Sequence, residues 1–141
     1  MKLITHEEYA AAILVLLPVA MRGTGQSGRC AQVLLSAYNG YDYHVSIPDL
    51  CGLDVDLYEA AITVIRGRCE LLLEPHVLIQ DGGRIFDELY DDWTNISVEN
   101  RAKVWCGRCD GRGKIYSHYD DEIGTTCPRC NGAGRVCRCQ A

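Results

Sequence analysis

The segments Cys106-Gly107-Arg108-Cys109-Asp110-Gly111-Arg112-Gly113 and Cys127-Pro128-Arg129-Cys130-Asn131-Gly132-Ala133-Gly134 state the chemistry of this chain and divide it in two. Each is a C-x-x-C pair with glycine at the second and fourth positions after it. The 17 residues from Asp110 to Thr126 separate the pairs, a spacing expected of a tetrahedral zinc site. Two residues between cysteines let a tight turn aim both sulfurs at one metal, and the intervening loop brings the second turn round to complete the tetrahedron. The glycines fit the same geometry, because a chain folding back around a metal needs positive φ and room for backbone amides to approach the thiolates. Cys106, Cys109, Cys127 and Cys130 are therefore read as ligands of one structural Zn²⁺. A redox dithiol is disfavoured, since such pairs usually open a helix on an α/β sheet and no such sheet is legible here. Four thiolates fill the coordination sphere, which leaves no position for a catalytic water.

These residues resemble the cysteine-rich module of DnaJ-type co-chaperones, in which the C-x-x-C-x-G-x-G unit occurs four times and binds two zinc ions. Only two units are present here, over Cys106–Gly113 and Cys127–Gly134, and the His-Pro-Asp signature of a J-domain is absent from the sequence. The resemblance implies one zinc and a pair of short β-hairpins, not a co-chaperone. The unit is also similar to the zinc segment of lambda-type phage antitermination Q proteins, where, as at Asn100-Arg101-Ala102-Lys103, a basic helical run leads into the first pair.

Outside the two pairs, Cys137 and Cys139 form a C-x-C near the end of the sequence. With His118 they offer ligands for a second or auxiliary metal, or they form an unliganded tail. Cys30, Cys51 and Cys69 fall on or beside apolar faces and are expected to be buried as small hydrophobes.

The chain has 141 residues, 48% of them hydrophobic, enough for one domain plus a metal-stapled appendage. Nine cysteines are an odd count with metal-like spacing and no legible signal peptide, which points to a reduced, cytoplasmic protein rather than a secreted disulfide scaffold; the resemblance to phage proteins implies a bacterial host cell. The apolar run Ala10–Met21 is 12 residues long and contains Pro18, too short to span a bilayer. Charge is polarised. Residues 1–100 carry 6 Lys/Arg against 15 Asp/Glu, a balance of −9, whereas residues 101–141 carry 8 against 4, a balance of +4. Four thiolates around one Zn²⁺ lower the latter to about +2. Nucleic-acid binding by the whole surface is disfavoured and a local contact by the tail is allowed.

The first part reads as helical. Thr5-His6-Glu7-Glu8 has the form of a capping box, and the helix after it is apolar on more than one face, which places it in the middle of the fold, with Pro18 bending or ending it. Gly23–Gly28 is a helix–helix turn; it lacks the Lys-Ser/Thr of a phosphate loop. A second helix carries Cys30, Val33, Leu34, Ala37 and Tyr38. Ser46 caps a short helix closed by Gly52, and Asp54 caps a longer one with Leu57, Ala61, Val64 and Ile65 inward. Gly82-Gly83 reads as a turn before a helix with Ile85, Phe86, Leu89, Tyr90 and Trp93 on one side. The expected fold is mainly α: a compact helical domain over residues 1–96 and a small zinc-bound β-hairpin module over 97–141.

Around Thr24-Gly25-Gln26-Ser27-Gly28-Arg29, Val33-Leu34-Leu35 and Tyr38-Asn39, this domain is similar to an uncharacterised family of small proteins from phages, plasmids and proteobacterial genomes. That resemblance implies a mobile-element origin and no activity.

No nucleophile–base pair, paired carboxylates or phosphate loop can be assigned, so a non-enzymatic protein without a small-molecule substrate is expected. Two function classes follow. One is docking on a host protein complex, for example as an inhibitor of a defence system such as CRISPR, with the acidic helix face of Asp87, Asp91, Asp92 and Trp93 as a contact surface. The other is transcription regulation of the antiterminator kind, with Arg108, Arg112, Lys114, Arg129 and Arg135 meeting RNA polymerase or nucleic acid. Antitermination Q proteins continue past the zinc pairs into further helix, whereas this sequence ends at Ala141; with the acidic body, that favours protein binding.

Overall fold

The structure is a computed structural model that describes residues 1–116 and 123–137. It divides into two compact units, Met1–Val98 and Glu99–Ala141. The first is helical, and the second carries small antiparallel strand pairs and a cysteine cluster, as the sequence pattern implies.

In the first unit α1 spans His6–Ala20. The Thr5 hydroxyl accepts the Glu8 N–H at 3.1 Å and the Glu8 carboxylate accepts the Thr5 N–H at 2.9 Å, closing the expected capping box. Pro18 does not end the helix, which runs two residues further. The N–H missing at Pro18 would have served the carbonyl of Leu14, an exposed residue, so little is lost. After the turn, where the Thr24 N–H donates to the Ser27 hydroxyl, α2 runs Ser27–Tyr38. Its buried residues Cys30, Ala31, Val33, Leu34, Leu35 and Ala37 face several directions, so α2 rather than α1 is the helix most fully enclosed; α1 exposes Leu14 and Val15.

A short α3 (Ile47–Cys51) begins at a second capping box between Ser46 and Asp49. The longer α4 (Val55–Leu71) packs against α1 and α2 through Ala60, Ala61, Val64 and Gly67. Asp54 stands at its N-cap position without capping: its carboxylate accepts from the Gln26 amide while Gln26 accepts the Asp54 N–H. The helix stops where Leu72 adopts a left-handed conformation, and a 3₁₀ turn occupies Pro75–Leu78. Gly82 and Gly83 form the first turn of α5 (Gly82–Asp92) instead of a connecting turn. Glycine at 82 serves packing: a Cβ there would overlap the His76 carbonyl.

Buried Tyr9 and Tyr43 and half-buried Trp93 close the loops by their polar ends. Tyr9 donates to the Leu73 carbonyl, Tyr43 to that of Tyr90, and the Trp93 indole to that of Ala20. Cys30 is buried as expected, and burial pushes its thiol up to about 11. Cys51 and Cys69 are exposed, contrary to expectation. Cys69 lies off the α4 stripe formed by residues 60, 61, 64 and 67, and Cys51 ends a helix that buries none of its residues.

A short α6 (Val98–Arg101) straddles the boundary, and the second unit continues with β1 (Lys103–Trp105), β2 (Lys114–Ile115), β3 (Thr125–Thr126) and β4 (Arg135–Cys137). Pairing is nested: β1 runs antiparallel to β4 and β2 to β3. Each C-x-x-C turn thus sends its two flanking strands to the strands of the other turn. Among the described residues no helix is long and apolar enough to cross a membrane.

Candidate metal centre

The two cysteine turns are copies offset by 21 residues, as the separations Cys106–Cys127 and Cys109–Cys130 show. Asp110 and Asn131 both take φ of 51°, and Gly113 and Gly134 take 75° and 74°. In each copy the chain reverses after its second cysteine, so that the Gly113 and Gly134 N–H groups donate to the sulfurs of Cys109 and Cys130, both at 3.2 Å. Glycine is required at these two positions. A Cβ on Gly113 would lie 2.3 Å from the Gly132 carbonyl oxygen, and one on Gly134 2.4 Å from that of Gly111. The copies lock together when the Cys106 N–H donates to Gly134 and the Cys127 N–H to Gly113, both at 2.9 Å. That reciprocal exchange is why the strands pair across the copies.

The four sulfurs converge. Cys106 Sγ lies 3.9 Å from Cys127 Sγ and Cys109 Sγ 3.7 Å from Cys130 Sγ. All four lie within 4.8 Å of one another, on buried residues. A tetrahedron of thiolates with metal–sulfur bonds of about 2.3 Å has edges of about 3.8 Å. The cluster therefore fits a tetrahedral ion, and the two amide N–H groups orient and neutralise sulfur as outer-shell partners do. Val136, with Val104 and Ile115 against it, is the only apolar packing around the cysteines among the described residues.

Four thiols this close cannot ionise independently. Burial raises the Cys127 thiol, but backbone N–H donors at Cys130 and Arg129 and the neighbouring Cys130 and Cys106 thiols outweigh it and bring the group down to about 7. At Cys109 burial acts in the same upward direction, opposed by the Gly113 N–H and reinforced by the other three thiols, and the group is pushed up to about 11. A cation is the natural counter-charge for such a set.

The remaining sequence candidates are scattered. Cys137 is exposed on β4, and Cys139 and His118 lie outside the described residues. Arg108 and Arg129 are exposed at equivalent positions of the two copies, as are Lys114 and Arg135, and Arg112 is exposed in the first copy. Lys114 donates to the Ile123 carbonyl, and the Arg135 guanidinium lies 5.6 Å from the centre of the exposed Trp105 ring. Sequence reasoning did not single out Trp105, although a tryptophan directly before the first ligand was the available signal. In the helical unit Asp91 and Asp92 are exposed, and Asp87 accepts the Tyr38 hydroxyl at 2.8 Å. Trp93 is half-buried with its indole against Gly28.

Comparison with known proteins adds one match. The model of a family described as "Family of unknown function (DUF7673)" matches residues 10–94. No curated protein and no solved structure matches the chain.

Proposed function

This chain belongs to the DUF7673 family of unknown function, and we propose that it is a non-enzymatic zinc-binding interaction protein that docks on a host macromolecular complex, mainly by protein–protein contacts. The observation that carries this reading is the closed cluster of four buried cysteines, with amide N–H groups on two of its sulfurs. All four ligand positions are taken by protein, so a bound ion supplies stability and a fixed shape rather than an open site for substrate. Tetrahedral S₄ sets hold zinc or iron; we assign zinc, one per chain, from the paired C-x-x-C-x-G-x-G motif. A bacterial cytoplasm keeps such thiols reduced; the resemblance of the helical domain to small phage and plasmid proteins implies a mobile-element origin, and a host-defence complex such as CRISPR is the target we propose on that origin.

Metal analysis of the purified chain is the first test. One zinc per chain and no visible absorbance are expected; iron with thiolate charge-transfer bands overturns the assignment. Affinity capture from bacterial lysate with the intact chain, set beside a Cys106→Ser variant, then tests docking: a defined protein complex is expected, and nucleic acid alone refutes it.

A second reading, a transcription regulator of the antiterminator kind, draws on exposed Arg108, Arg112, Lys114, Arg129 and Arg135 with Trp105 beside the last of them. Titration against duplex DNA, single-stranded DNA and RNA at two salt concentrations separates the readings, because phosphate contacts weaken steeply with salt.

A further inference from the structure

The helical unit holds an apolar element at its surface by means that look costly for an ornament. Helix α3 buries none of its residues, yet it is fastened at both ends. Ser46 and Asp49 cap each other's amides at its start. The Arg29 guanidinium, reaching from α2, donates to the carbonyls of Pro48 at 2.7 Å and Asp49 at 3.1 Å. It lies over Gly52, where a Cβ would sit 2.2 Å from the guanidinium carbon. What this clamp presents outward is hydrophobic. Ile47 is 78% exposed, Val55 71% and Tyr58 45%, and together with Leu50, Cys51 and Leu53 they line a groove of about 370 Å³ between α3 and the start of α4.

The charged side chains of the stretch that forms this groove are, apart from the clamping Arg29, acidic. From Arg29 to Arg66 the sequence contains no other lysine or arginine, while it contains Asp42, Asp49, Asp54, Asp56 and Glu59. Of these, Asp54, Asp56 and Glu59 are exposed beside Val55 and Tyr58 on the first turns of α4. Arg29 adds one positive charge against these acids, and its guanidinium is turned to the α3 carbonyls. A preformed apolar groove with an anionic rim complements a helix with an apolar stripe and a basic flank, a recurring mode of peptide recognition. The same rim repels an acidic segment and an anionic lipid surface, and at close range it repels a second copy of itself.

We propose that the groove of Ile47, Leu50, Leu53, Val55 and Tyr58 is the docking site for a basic amphipathic helix of a protein partner. The proposal rests on the protein-docking reading above and locates it in the helical unit. Apolar side chains of the partner fill the groove while its lysines or arginines face Asp54, Asp56 and Glu59.

The test uses the full chain and an amphipathic peptide of leucine and lysine, about 18 residues or roughly five turns long, with a leucine–glutamate peptide of the same pattern as control. Binding of the basic peptide is expected, with amide resonance changes confined to residues 46–59 and Arg29, and no binding of the acidic one. An Ile47→Ser, Val55→Ser double variant keeps the net charge and should weaken binding at least about tenfold, roughly the effect of losing two buried apolar anchors; Leu14→Ser on exposed α1 should not. Resonance changes spread over the Asp87–Asp92 face, or affinity unchanged in the double variant, would show charge attraction alone and overturn the proposal. So would failure to bind, or a concentration-dependent self-association that the double variant abolishes, which would make the occupant a second copy. Failure here is distinct from failure of the docking reading itself: a protein complex captured equally by the intact chain and the double variant leaves docking standing and moves it away from this groove.

Discussion

Replacing Cys106 by serine should unfold the second unit and leave the first intact. The structure sets the magnitude. Among the described residues the apolar packing of the cysteine cluster consists of one buried valine, Val136, with Val104 and Ile115 half-buried against the cluster. Full burial of a valine contributes about 1.5–3 kcal/mol, whereas a structural zinc contributes on the order of 10–16 kcal/mol to comparable modules. No other packing among the described residues of this unit approaches the metal's contribution. The strands are too short to compensate, since β2 and β3 have 2 residues each and isolated hairpins are marginal in water. Helical signal should survive, because α1, α2, α4 and α5 lie within Met1–Val98, a compact unit with its own core. The assay is an amide correlation spectrum with and without a strong zinc chelator. In the wild type, chelation should collapse the resonances of residues 103–116 and 123–137 to random-coil positions and leave those of the helical unit in place. Cys106→Ser should show the collapsed pattern without chelator. Dispersed second-unit resonances in the variant, or loss of the helical resonances along with them, would refute the reasoning.

Three other outcomes follow from particular contacts. Gly113→Ala forces a side chain into φ of 75° and towards the Gly132 carbonyl. The backbone term of about 1–2 kcal/mol should appear as a roughly five- to thirty-fold loss of zinc affinity by chelator competition, with Gly134→Ala alike. Gly67→Ala would place a Cβ 2.4 Å from the Tyr9 ring, and thermal melting should report about 1–3 kcal/mol of destabilisation from overpacking in the first unit. The Glu70 carboxyl is held below its ordinary value, first by the Ile4 N–H and also by Arg66, and Glu8 is lowered to about 2 chiefly by its hydrogen bond from Lys2. A depressed carboxyl stabilises the fold above its unfolded value near 4.5 and loses that contribution as pH falls through its folded value. Melting temperature of the first unit should therefore drop as pH is lowered below about 4.5, and Glu70→Gln should flatten that drop.

The cysteine cluster was legible because metal ligation constrains residue type and spacing together: thiolates must be cysteines, and a turn that aims two at one ion admits few spacings. Capping boxes at Thr5–Glu8 and Ser46–Asp49 were legible for a like reason, each being a local exchange of hydrogen bonds among four residues. What escaped was decided by distant partners. Gly82-Gly83 looks like a turn until the His76 carbonyl is seen against Gly82. Asp54 looks like a cap until Gln26, on another element, takes its carboxylate. Cys51 and Cys69 look like core because helical spacing reports which residues share a face, and whether anything covers that face depends on elements far along the chain. The cross-pairing of β1 with β4 escaped in the same way, since the resemblance implied only a pair of short β-hairpins and β1, at Lys103–Trp105, finds its partner as far along as Arg135–Cys137.

The two copies also separate what the metal frame demands from what it leaves free. Positions matched across the 21-residue offset hold the frame: the cysteines, the left-handed Asp110 and Asn131, and the glycines that donate to sulfur. Trp105 has Thr126 as its counterpart, and Arg112 has Ala133, all exposed. Since Thr126 serves the second copy with only a 3.4 Å approach of its methyl to where a Gly132 Cβ would stand, the first copy has no structural need of an indole. Trp105 is nevertheless 66% exposed, lies over Gly111, and carries Arg135 against its ring. Trp105→Thr should thus leave zinc affinity within about twofold, as for surface changes that touch no frame element, while weakening whatever contact the second unit makes with a partner. Chelator competition reads the first quantity and capture of the partner the second. A large loss of zinc affinity would show that the ring belongs to the frame, and would place Arg135 there with it.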